Sequence, residues 1–109
     1  MSRAQMRFPQ FPVRIRLGRG VHSNEVETCI RECATRLNYE HPEINVCYVV
    51  LDLVQDGDEL CHARTWLILE ITHGTFAAGA DTHHKNALMA IRNAFATMRE
   101  SLESFQRMT

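Results

Sequence analysis

Residues 86–105 read NALMAIRNAFATMRESLESF, and the architecture follows from this stretch. Leu88, Ile91, Phe95, Met98, Leu102 and Phe105 recur at steps of three and four, so they form one apolar stripe along an amphipathic helix. A stripe of this kind needs a surface to lie on. Just upstream, residues 65–71 alternate as a strand does, and His73-Gly74 provides the turn that follows. Only one other helical pattern precedes them, so the chain is expected to be an α+β protein and not a helix bundle.

Nearer the N-terminus, Val13, Ile15 and Leu17 alternate with Arg14 and Arg16, the pattern of a half-buried strand, and Gly18 and Gly20 end it. Val26, Cys29, Ile30, Cys33, Ala34 and Leu37 follow at helical spacing. Ser23 or Asn24 is the expected cap, with Glu27 placed three residues after Asn24, and Pro42 stops the helix. Residues 44–54 are rich in β-branched and aromatic side chains on both faces, as in a central strand. Asp56-Gly57-Asp58 has the composition of a hairpin turn. The returning strand, residues 61–72, places Ala63, Thr65, Leu67, Leu69 and Ile71 on one side. His62, Arg64, Trp66, Ile68 and Glu70 fall on the other, mixed side. Thr75 to Ala80 reads as a short strand of small residues, with Asp81 or Thr82 as the cap of the last helix.

The predicted order is β-α-β-β-β-α: a four-stranded sheet with both helices side by side on one face, the other face being open to solvent or a partner. Residues 1–12 form an irregular basic arm and residues 13–109 a single domain, in keeping with a length of 109 residues.

No apolar run approaches the roughly 18 residues needed to cross a bilayer. Met1 to Gln10 lacks the apolar core of a secretory signal, so a cytoplasmic location is expected. Cys29, Cys33, Cys47 and Cys61 all fall within periodic elements and are expected to be reduced, buried thiols. The net charge of −1 conceals an asymmetry, since residues 1–20 hold five arginines and no acid, whereas residues 21–60 hold nine acids against two arginines. Eleven of the twelve basic residues are arginine, which favours bidentate contacts to phosphate or carboxylate.

The element order and several residues resemble the bacterial ribosome hibernation factors, the family of ribosome-associated inhibitor, hibernation promoting factor and sigma-54 modulation proteins. The similar stretches are Val46-Cys47-Tyr48-Val49-Val50-Leu51, His73-Gly74 before the small-residue strand, and Asn86 to Leu102, where Ala90-Ile91 sits inside a helix opening similar to D-M-Y-x-A-I. The resemblance covers about residues 13–105. It implies a short member that binds the small ribosomal subunit in the channel used by messenger and transfer RNA. It also implies repression of translation under starvation or in stationary phase, without enzymatic activity or a cofactor.

The chain departs from the family where the last helix usually carries an alternating basic series resembling D-K-L-x-R-Q-L-x-K. Thr97 stands at the lysine position and Glu100 at the arginine position, with Arg99 one residue out of register. The remaining candidates for RNA contact are Arg14, Arg16, Arg19, Arg36, Lys85, Arg92 and Arg99. Spacings of seven place Lys85, Arg92 and Arg99 along one side of the helix, either as a shallow basic stripe or as an ordinary solvated face.

A second reading is a protein-interaction module. Arg64, Trp66 and Ile68 on the open face would then pack against another protein or a second copy as a homodimer. Alternatively Trp66 is covered by the N-terminal arm through Phe8 or Phe11. His83-His84, with His62 and His73, lacks the spacing of a metal site, and none is expected. The acids around Asp52, Asp56, Asp58 and Glu59 surround a turn, and no catalytic motif accompanies them.

Overall fold

A computed structural model describes residues 11–18, 24–56, 60–72, 74–83 and 86–108. In chain order the elements are β1 (Val13–Leu17), α1 (Asn24–Glu40), β2 (Ile44–Asp56), β3 (Leu60–Ile71), β4 (Gly74–His83) and α2 (Ala87–Met108). The sheet has the order β1-β2-β3-β4. β1 runs parallel to β2, as a crossover through α1 requires, and the other pairings are antiparallel.

Burial alternates as the sequence predicts. Cys47, Val49 and Leu51 of β2, Ala63, Leu67 and Leu69 of β3 and Ala78 of β4 are buried on one face. They meet Ile30, Ala34 and Leu37 of α1 and Ala90, Ile91, Ala94, Phe95, Met98 and Leu102 of α2 in one core. α1 packs over β1 and β2, α2 over β3 and β4, and the helices also touch each other, so both cover the same face. The ends of the α2 stripe are less enclosed: Leu88 is half-buried, and Phe105 is exposed but packs edge-on against Phe76 with ring centroids 5.2 Å apart.

β2 contains a bulge between Ile44 and Val46. The extra residue reverses the alternation once, so Ile44 and Cys47, three positions apart, both face the core. Beyond the bulge β2 is apolar on both faces, with Cys47, Val49 and Leu51 in the core and Tyr48 and Val50 on the uncovered face, as expected of a central strand.

One cap differs from expectation. Neither Asp81 nor Thr82 caps the last helix, because β4 continues to His83, held by pairing with β3 as far as His62. Asn86 is the cap: its Oδ1 accepts from the Met89 backbone N–H at 3.1 Å, and its carbonyl accepts from the Ala90 N–H at 3.2 Å. At α1, Asn24 already lies within the helix and Ser23 is outside the described residues. Glu25 and Glu27 place negative charge in the first turn, where the helix dipole favours it. Replacing Asn86 by Ala should therefore lower stability by about 1 kcal/mol in urea denaturation. Asp81→Ala, which removes only an exposed ion pair, should change it by less than about 0.5 kcal/mol.

Candidate nucleic-acid interface

The candidate arginines divide between two opposite surfaces. Arg36 of α1 and Arg92 of α2 are both exposed, and both act electrostatically on the half-buried thiol of Cys33. Two helices thus bring one guanidinium each to the seam between them. Further along, Arg99 Nε donates to Glu40 Oε1 at 2.8 Å, so the third arginine of the helix layer is joined to an acid. The expected stripe of Lys85, Arg92 and Arg99 is only partly traced, since Lys85 lies outside the described residues; so does Arg19. Thr97 and Glu100 are exposed on α2.

Arg14 and Arg16 point the other way. Their partners in register are Tyr48 and Val50, on the face that no helix covers. Continuing across the sheet, Val50 is opposite Trp66 and Trp66 opposite Gly79, while Tyr48 is opposite Ile68 and Ile68 opposite Ala77. The next row is Asp52, Arg64 and Asp81, in which Arg64 Nε donates to Asp81 Oδ1 at 3.2 Å. Trp66 remains 52% exposed above a shallow depression of about 610 Å³.

Trp66 depends on the strand beside it. A Cβ on Gly79 would collide with Cζ3 and Cε3 of the indole, so the ring rests directly on the β4 backbone. The arm does not cover Trp66 through Phe11, because Phe11 is itself buried in the core; Phe8 lies outside the described residues. The roles of Gly79 and Asp81 were missed in sequence. Their only signal was a tryptophan on one strand facing a strand of small residues on the next.

Another feature missed in sequence is His41, buried at the end of α1. Its Nδ1 lies 3.4 Å from Glu43 Oε2 and 3.5 Å from Gln106 Nε2, while Gln106 Nε2 donates to Glu43 at 3.1 Å. This cluster ties the last turn of α2 to the connection before β2. Among the described residues, no three metal-ligating side chains gather, and no helix is long and apolar enough to cross a membrane. His73 and His84 lie outside the described residues, as do the side chains of His62, His83 and Cys61.

Cys29, Cys33 and Cys47 are free thiols. Burial pushes Cys33 up to about 11, with the neighbouring Cys29 adding to the effect and Arg36 and Arg92 opposing it. Burial alone pushes Cys47 up to about 12.

No family model matches the sequence, and no curated protein matches it. Solved structures do match the fold. A ribosomal subunit interface protein from Coxiella burnetii superimposes with a TM-score of 0.73 at 11% identity, covering 89% of this chain and 99% of that one. The N-terminal domain of Thermus thermophilus Protein Y superimposes with a TM-score of 0.65 at 16% identity, covering 90% of this chain and 99% of that domain. The chain therefore has the fold of a ribosomal subunit interface protein, the α+β architecture that the hibernation-factor resemblance implied.

The thiol environment has a measurable consequence. Both thiols remain protonated in the folded state at pH values where unfolded cysteines ionise. The stability this contributes is complete below about pH 9 and should fall as pH rises from there toward 11 and 12. At pH 8, Cys33 should react with Ellman's reagent roughly a hundredfold more slowly than a free cysteine, and at the ordinary rate after unfolding in urea.

Proposed function

We propose that this chain is a diverged ribosome hibernation factor, a single domain over residues 13–109. It binds the small ribosomal subunit through RNA and so represses translation when growth stops. The observation that carries this reading is the superposition on a ribosomal subunit interface protein over 99% of that protein's length. The pair of exposed arginines at the helix seam supports it as a phosphate-binding element.

In this reading Arg36 and Arg92 grip the phosphates of ribosomal RNA. Arg99 joins them by exchanging Glu40 for a phosphate, a modest cost because that ion pair is partly solvated. Arg19 and Lys85 stay candidates for RNA contact on the sequence alone. Thr97 and Glu100 replace two cations that relatives would set against phosphate. Affinity and its salt dependence are both reduced, the logarithmic slope falling by about 0.9 for each phosphate left unneutralised. The protein acts by binding, in the cytoplasm, with neither catalysis nor a cofactor. The competing reading, self-association through Arg64, Trp66 and Ile68, rests on the exposure of Trp66.

Sedimentation of a starved-cell lysate through a sucrose gradient should place the chain in the small-subunit fractions. With purified subunits, Arg36→Glu with Arg92→Glu should weaken co-sedimentation at least tenfold and flatten its salt dependence. Thr97→Lys with Glu100→Arg should strengthen it. Unchanged binding in both pairs would remove the helix layer from the interface.

A further inference from the structure

The uncovered face of the sheet has features that helix-seam binding does not use. Its centre is an exposed indole anchored by one edge. Gly79 leaves no room for a Cβ beside the Cε3–Cζ3 edge of the ring, so that edge of Trp66 abuts β4 while 52% of the residue stays exposed. An exposed indole is a stacking platform for a nucleobase, and it tolerates any base because every base has a π-face.

Charge on this face is distributed unevenly across the strands. At the β1 edge, Arg14 and Arg16 are exposed, and among the described residues neither has an acid within ion-pair distance. On the far strand, Asp81 is engaged by Arg64. Asp52 lies against Gly18, where a Cβ would strike its carboxylate. Arg16, Val50 and Trp66 share one row, so Arg16 and Trp66 are about 10 Å apart at their backbones, within reach of an extended guanidinium and a stacked nucleotide. Arg14 lies in the next row with Tyr48 and Ile68.

We infer that this face binds single-stranded RNA, one base stacked on Trp66 and the adjoining phosphates held by Arg14 and Arg16. The occupant follows from charge: the edge is cationic and the centre aromatic. A second copy laid on this face would have to desolvate Arg14, Arg16, Asp52 and Glu70 together, with Asp81 already joined to Arg64. The site is separate from the helix seam and does not require that the chain bind ribosomes.

Trp66 is the only tryptophan in the chain, so its fluorescence reports this site directly. Titrating the full chain with decameric oligoadenylate at low salt should quench that fluorescence to saturation. Arg14→Gln with Arg16→Gln, both exposed and harmless to folding, should weaken binding at least tenfold and lower the salt slope by about 1.4, the value for two single-strand phosphates. Trp66→Ala, followed by anisotropy of a labelled decamer, should bind roughly tenfold more weakly or worse. Only Trp66 reports, so RNA held at the helix seam on the opposite side of the sheet adds no quenching, which separates this site from the seam. The inference is overturned if oligoadenylate leaves the fluorescence unaltered, or if Arg14→Gln with Arg16→Gln binds as the parent does. It is equally overturned if light scattering finds a salt-insensitive dimer in which Trp66 is already buried.

Discussion

Two amphipathic helices sharing one face of a four-stranded sheet hold this structure together. α2 contributes the longer apolar stripe, and Ile91, Phe95, Met98 and Leu102 are buried in the core it forms with the sheet. Lying side by side, the helices create a seam and leave the reverse of the sheet uncovered. The bulge at Ile44 and Val46, the Asn86 cap and the His41–Glu43–Gln106 cluster all serve this arrangement by aligning the ends of the elements around one core.

That asymmetry produces two surfaces with different chemistry. At the seam, exposed Arg36 and Arg92 both act electrostatically on the half-buried Cys33, bringing positive charge from separate helices. Across the open sheet, aromatic and aliphatic side chains lie between a cationic edge and a row in which Arg64 pairs with Asp81 beside Asp52. A seam suits the backbone of a structured RNA, which is recognised through its phosphates. An exposed indole suits an unpaired base. In the proposed reading, Thr97 and Glu100 leave more of the binding to Arg36 and Arg92.

Much of the fold was legible in the sequence because it rests on periodicity. Steps of three and four residues defined both helices, and alternation from Ala63 to Ile71 identified the buried face of β3 correctly. The misplaced cap shows where local signals fail. Asp81-Thr82 has good capping chemistry, but pairing with β3 is a non-local interaction, and it carries β4 past them to His83. The site was less legible. Arg14 and Arg36 are both basic candidates in sequence, and the alternation of β1 together with the packing of both helices on one face sets them on opposite surfaces. The support of Trp66 by Gly79 depends on register across a hairpin, which no local pattern records.

Placing the helix seam against RNA of the small ribosomal subunit can be checked at the level of single side chains. A cryo-electron microscopy map of that subunit saturated with this chain should show the chain in the channel of messenger and transfer RNA, with Arg36 and Arg92 against ribosomal RNA phosphates. A subunit without the chain, or a bound chain whose helix seam faces solvent, would contradict it.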